Sequence, residues 1–319
     1  MRDSRIGNIS SFAPVIIPTL CRYEHFRRCV ESLSKCTHAD KTELIIGLDY
    51  PAEPKHDYGY HKILEYLDSG RIDGFKNVVV FKTDVNLGVN ENYKRIKEYA
   101  FSKYDRLIAS EDDNEFSPAF LDYINSGLDR FEDDSSVMAI CGYNYPIDMG
   151  GMDNSAYKSQ KFSAWGVAYW REKSDFYVNT VHTEEYARAI FRSPFKFCRI
   201  LFKNPRLLAG IRSMLKENVL WGDVMHEASH ILEHQYAIFP RISLVRNWGH
   251  DGSGVNCDGE DNSLFIIQPI SDRHFFDWPE HVNIAGKTIR KRLNEYYGVT
   301  FGAMTKKLIV HIFKQARNV

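Results

Sequence analysis

The sequence predicts an α/β protein with a mostly parallel central sheet and helices on both faces. Three observations carry this. Short apolar runs alternate with amphipathic stretches from residue 12 to residue 143. The runs are nearly continuous in Val, Ile and Leu, as suits strands covered on both sides. The polar clusters follow the carboxyl ends of those runs, where open α/β sheets bind ligands.

FAPVIIP (12–18) reads as the first strand, closed by Pro18. Tyr23, Phe26, Val30 and Leu33 then recur at helical spacing, so a helix starts near Tyr23 or Glu24. ELIIGLD (43–49) is a second strand ending in Asp49, and HKILEYLDSG is a helix stopped at Gly70. NVVVFKT (77–83) is the third strand, and NLGVNENYKRIKEYAFSK a turn and helix. DRLIASEDD supplies a fourth strand. SPAFLDYINSGLDRF is a helix with Ser117 as N-cap and Pro118 in the first turn, and VMAICGY (137–143) a further strand.

The second half is less regular. Residues 184–219 read as helical fragments broken at Pro194 and Pro205. YAIFPRISLVRN (236–247) reads as one strand interrupted by Pro240, with a loop through Gly249, Gly252 and Gly254 behind it. The tail holds two amphipathic segments separated by Gly298 and Gly302. The expected division is an α/β half (1–145), a second half of the same domain (146–260) and a C-terminal helical extension (261–319).

A formal net charge of -1 argues against general nucleic-acid binding, which needs a strongly positive surface. The 20 Phe and 18 Tyr supply a large core and ring platforms for a sugar or base. None of the six cysteines forms a Cys-x-x-Cys pair, which speaks against a structural zinc site. The N-terminus lacks an apolar leader and no run approaches a membrane span, so a reduced, cytoplasmic location is expected.

In RLIASEDDNEF, Glu111, Asp112 and Asp113 stand together behind a strand. Such acids form a solvated turn, or they share a hard divalent cation that relieves their repulsion. Other polar residues follow the neighbouring strands: Thr19, Arg22 and Glu24 the first, Asp49 the second, Asp84, Asn86, Gly88 and Asn90 the third. Arg22 can pair with phosphate or cap a helix. Asp49 is a nucleotide contact or a turn acid.

In this order PTLCRYEHF, GLD, NLGVNENYKR and SEDD resemble glycosyltransferases of the GT-A fold, within the family 2-like inverting bacterial enzymes of surface-glycan synthesis. FSAWGVAYW and ISLVRNWGHDGSG extend the resemblance over residues 12–257. It implies a donor pocket of Thr19, Arg22, Glu24, Asp49, Asn86 and Gly88. It puts EDD in the place of an Asp-x-Asp motif, with Asp113 and then Asp112 as ligands of Mn2+ or Mg2+ and Glu111 on the ribose or the metal's water shell. It places Trp165 and Gly166 near the donor sugar and acceptor, with Trp170 a core residue. His250 would complete the metal or phosphate contacts. The donor is a nucleotide sugar, UDP-linked on the frequency of that nucleotide in the group. The acceptor is a saccharide or lipid-linked saccharide.

Inversion needs one base, and the resemblance puts it at a helix start behind the acceptor segment. Asp223, after Trp221 and Gly222 and at the start of a helix read over 223–234, fits, with Glu217 and Glu227 as alternatives. Backbone N–H groups there are expected to hold its pKa low. His226, Glu227 and His230 also meet the zinc-protease spacing, a reading that leaves the front half unexplained. Arg246 is a further phosphate candidate, and Asp251 a partner for a neighbouring base. LIVHIF (308–313), flanked by Lys306, Lys307, Lys314 and Arg317, suits peripheral contact with an anionic membrane, packing on its own domain, or a homo-oligomer contact. Two rival functions keep the same fold: a nucleotidyltransferase-like enzyme and a catalytically silent glycan-binding protein.

Overall fold

The computed structural model describes residues 9–149, 156–253 and 264–300, with 302, 305 and 306. Gly254, Cys257, Lys307, Lys314, Arg317 and segment 308–313 lie outside the described residues. The chain opens with strand β1 (Val15–Thr19), helix α1 (Tyr23–Leu33), β2 (Glu43–Leu48), α2 (Asp57–Asp68), β3 (Asn77–Phe81), α3 (Gly88–Lys103) and β4 (Arg106–Ala109). Next come β5 (Asn114–Phe116), α4 (Phe120–Arg130), β6 (Val137–Cys141), β7 (Ala156–Ser159) and β8 (Val167–Trp170). A helical stretch follows: α5 (Arg171–Phe176), α6 (Glu184–Arg192), α7 (Pro194–Lys203), α8 (Pro205–Glu217) and α9 (Gly222–Leu232). The last elements are β9 (Tyr236–Pro240), β10 (Val245–Asn247), α10 (Leu264–Ile267) and α11 (Lys287–Tyr296).

The main sheet runs β3-β2-β1-β4-β8-β6-β9-β7. β8 is antiparallel to β4 and β6, and β7 to β9; the other pairs are parallel. Every residue of β2, β4, β6 and β8 is buried, which requires cover on both faces. α3 packs on β1 and β2, and α4 on β6 and β8. This is the expected α/β architecture, a mostly parallel sheet covered by helices, with a helical C-terminal part. β5 and β10 form a second, two-stranded sheet that pairs Asn247 with Asn114. It returns the chain after β9 to the end of β4.

The apolar core is in two parts. One surrounds the main sheet. The other is helical and includes Ile190, Phe197, Ile200, Leu208, Ile211, Met214, Met225 and Ile231. Pro194 and Pro205 open α7 and α8, where a missing N–H costs nothing, and Ser193 and Asn204 cap them by accepting from Lys196 N and Arg206 N. Among the described residues no helix is long and apolar enough to cross a membrane.

Four expectations need correction. Pro18 lies within β1, paired with Gly47; the ladder to β4 covers only Val15 and Ile16, so the imino acid sits beyond it. Ser117 does not cap α4: its carbonyl accepts from Phe120 N in a preceding turn, and the helix begins at Phe120. The segment around Pro240 is two strands in two sheets, because β9 ends at Pro240 and Val245 pairs with Phe116. The helix expected over 223–234 spans Gly222–Leu232, since His234 turns to φ 56.

Candidate active site

Three segments meet beyond the carboxyl ends of β1 and β4. The guanidinium of Arg22 reaches both acids behind β4, with Nη2 on Asp112 Oδ1 and Nη1 2.8 Å from Asp113 Oδ2. Thr19 Oγ1 donates to Asp112 Oδ2 at 2.8 Å. From the third segment, Asn247 Nδ2 donates to Asp113 Oδ1 at 2.7 Å, and Trp248 N to the Asp113 carbonyl at 2.9 Å. A Cβ at position 249 would lie 2.2 Å from Asp113 Oδ2, so only glycine lets the backbone pass the carboxylate. The loop is tied down again where His25 Nε2 meets Asp251 Oδ2 at 2.9 Å.

Asp112 and Asp113 are each only 5% exposed, and Arg22 is the charge that makes their burial tolerable. Burial opposes the Arg22 charge, but Asp112 and Asp113 outweigh it and raise its pKa. Burial raises the Asp112 pKa, with Arg22 pulling down and Asp113 pushing up. Glu111 presents surface to solvent yet is enclosed by protein, the situation of a residue on a cleft floor. That enclosure, and then Asp113, push its carboxyl up to about 8, with Arg22 opposing and Asp112 and Asp223 adding. Asp223 is therefore near enough for its charge to reach Glu111.

Asp223 sits in the first turn of α9, whose N-cap is Trp221. The expectation of a low pKa is overturned: enclosure in the cleft raises it, the Val224 N–H opposes, and Glu227 adds to the rise. Its side chain stays open to solvent. The alternatives are otherwise engaged. Glu227 is buried and accepts from Lys161 Nζ at 2.6 Å and Asn204 Nδ2 at 2.8 Å; Glu217 is exposed and accepts from Ser213 Oγ.

His250 stacks on Phe265 with centroids 4.1 Å apart and meets the edge of Trp165 at 5.6 Å. Burial lowers its pKa while Asp113 opposes, and its Nε2 is buried without a hydrogen-bond partner. Gly166, beside Trp165, has φ +65, and a Cβ there would lie 2.9 Å from Val245 and 3.0 Å from Phe120. Trp170 is core, 5% exposed.

Asp49 takes a different part. Oδ1 accepts from Tyr50 N (2.9 Å) and Leu87 N (2.8 Å), and Oδ2 from Gly88 N (2.9 Å) and Asn86 Nδ2 (3.3 Å). It clasps the end of β2 to the start of α3 and is 4% exposed. Glu24 is not brought to the cluster: it is exposed and paired with Arg27 at 3.0 Å. Arg246 is held at the β5–β10 pair by Glu115 at 3.1 Å rather than left for a phosphate. In His-Glu-Ala-Ser-His, the His226 ring lies between Tyr177 (3.4 Å) and Phe162 (4.0 Å), and His230 is fully buried.

Sequence reasoning gave no role to Asn247, Trp248, Tyr177 or Phe265. Asn247 and Trp248 were in view in NWGH, but their contact with Asp113 needs the β5–β10 pairing. For a divalent cation the oxygen donors at hand are the carboxylates of Asp112 and Asp113, and the Nε2 of His250 is buried without a hydrogen-bond partner. Among the described residues no three His, Cys, Asp or Glu side chains are gathered as a metal cage, and Arg22 holds one oxygen of each carboxylate.

No family model matches the chain, and no curated protein matches it. Among solved structures it is similar to S. aureus TarS, at 13% identity over 53% of this chain and 30% of that chain, TM-score 0.34. A second TarS structure, residues 1–349, gives 13% identity over 53% of this chain and 49% of that one, TM-score 0.34. It is also similar to the mannosyltransferase PcManGT from Pyrobaculum calidifontis, in complex with GDP-Man and Mn2+, at 11% identity over 69% of each chain, TM-score 0.39. This chain thus spans less than half of either TarS structure. Likeness at this level says nothing of its chemistry.

Proposed function

We propose that this chain is an inverting glycosyltransferase that moves a sugar from a nucleotide sugar, UDP-linked by expectation, to a hydroxyl of a surface glycan or lipid-linked saccharide. The observation that carries the reading is the meeting of Arg22, Asp112, Asp113 and the Asn247–His250 segment on one cleft that Asp223 also faces. Residues 1–145 hold the donor and 146–260 the acceptor in this reading, with 261–319 an extension.

Arg22 and the Asn86–Gly88 turn receive the nucleotide, Arg22 meeting the diphosphate. Glu111 meets a ribose oxygen or the metal's water shell. Trp165 offers a ring beside the acceptor. The acceptor oxygen bonds to the anomeric carbon as the bond from that carbon to the diphosphate oxygen breaks. The electron pair leaves with the nucleoside diphosphate, and the hydroxyl proton passes to Asp223. The raised pKa of Asp223 makes it a stronger base than an ordinary aspartate. Mn2+ or Mg2+, held by Asp113, Asp112 and His250, would supply Lewis-acid charge at the diphosphate.

Calorimetry with UDP, GDP and CMP sugars, with and without Mn2+, tests this. One nucleotide should bind with a clear preference, and more tightly with the metal. Absence of binding by all three would overturn the reading.

A further inference from the structure

Residues 186–216 contain eight Lys and Arg and no Asp or Glu, in a chain whose formal net charge is -1. Positive charge is therefore concentrated on α7 and α8, while α6 balances Arg188 and Arg192 with Glu184 and Glu185 and α8 ends in Glu217. On α7, Phe197, Ile200 and Leu201 face the helical core, while Phe195 is 72% and Phe202 67% exposed. These two rings are seven residues apart, two helical turns, and so lie on one face. Arg199 falls between them at helical spacing, and Lys196, Lys203 and Arg206 flank them.

We infer that this outer face of α7 docks the protein onto an anionic lipid surface. Two large apolar rings left in water on one helix face, framed by cations, have the chemistry of an interfacial helix: the rings enter the acyl boundary and the cations meet headgroup phosphates. Beside the face lies a cavity of about 410 Å³ whose lining includes Phe202, Lys203, Lys158, Lys161 and Arg290. Its acid, Glu227, is already engaged by Lys161 and Asn204. Lys158 is likewise taken by Asp134 at 2.6 Å, so Lys203 and Arg290 are the cations the cavity offers where a headgroup would sit. A nucleic acid would account for the charge, but not for phenylalanines standing out on a convex helix. The surface is separate from the 308–313 segment and does not depend on the sugar-transfer reading.

The test is co-sedimentation of the full chain with phosphatidylcholine vesicles, with and without phosphatidylglycerol. Binding should require the anionic lipid and weaken about tenfold or more as salt is raised. Phe195→Ser with Phe202→Ser, and separately Lys196→Glu with Lys203→Glu, should each reduce binding about tenfold. Circular dichroism and Tm should not change, since the rings are exposed. Lys306→Glu with Lys307→Glu serves as the tail control and should leave most binding intact. The inference is overturned if wild type ignores anionic vesicles, if the α7 variants bind like wild type, if the tail variant alone abolishes binding, or if RNA is bound and vesicles are not. Nucleotide-sugar binding by the α7 variants should equal wild type, so loss of vesicle binding and failure of the transfer reading are distinguishable.

Discussion

Arg22 Nη1 lies 2.8 Å from Asp113 Oδ2, and the same guanidinium holds Asp112. One cation from the end of β1 thereby offsets two buried acids from the end of β4. This resolves how three consecutive acids are tolerated at a strand end, and it makes Arg22 a competitor for any metal at the site.

Arg22→Met should leave Asp112 and Asp113 without their counter-charge. A stability loss of about 2 kcal/mol at neutral pH is expected, the order for a hydrogen bond between charged groups. Urea denaturation at pH 7 and at pH 4 should show the gap between variant and wild type narrowing at the lower pH, as Asp112, whose pKa burial raises, takes a proton. A gap independent of pH would contradict this account.

Metal removal should abolish transfer, and Mn2+ or Mg2+ should restore it. Asp113→Ala should keep its fold by circular dichroism and lose activity. Arg22→Met should bind Mn2+ more tightly than wild type when no nucleotide is present, because the competing cation is gone. Full activity in EDTA would remove the metal from the mechanism.

Glu111 has a folded-state pKa raised to about 8, above its ordinary value of 4.5. The folded state therefore binds more protons than the unfolded chain between these values, so metal-free stability should fall as pH rises through that window. Glu111→Gln cannot ionise and should flatten the decline. Thermal melts in EDTA from pH 5 to pH 8.5 measure this; parallel curves for the two proteins would refute the raised pKa.

Asp223→Asn should bind the donor nucleotide normally and lose transfer by roughly 10² to 10⁴. In wild type, the acid limb of the rate–pH profile should lie above the ordinary aspartate range, since enclosure raises this pKa. Calorimetry and product formation with the acceptor are read together. Transfer within a few-fold of wild type would move the base elsewhere.

Asp49→Ala should destabilise the protein by about 2 kcal/mol, because it removes an acceptor that satisfies the N–H groups of Leu87 and Gly88. Weaker nucleotide binding should follow from the loosened Asn86–Gly88 turn. Unchanged denaturation midpoints would show that the clasp is dispensable.

Strands β1 to β4 and β6 and the helices between them were legible in the sequence, because burial on both faces writes itself as continuous apolar runs and helical periodicity is local. Pro194 and Pro205 were legible as breaks between helical fragments, because a proline's missing N–H and fixed φ act within one turn, and the structure makes each the first residue of a helix. The acid cluster, Arg22 and Asp223 were visible as residue types at element ends. Tertiary structure alone decided that Arg22 neutralises Asp112 and Asp113, that Asp49 clasps α3, and that Asn247 and Gly249 come back to Asp113 through the β5–β10 pair. It also decided the direction of the Asp223 shift, since local N–H groups would lower that pKa and burial, with Glu227 adding, raises it. These outcomes depend on contacts between residues from 38 to 134 positions apart and on the solvent they exclude, neither of which local pattern encodes.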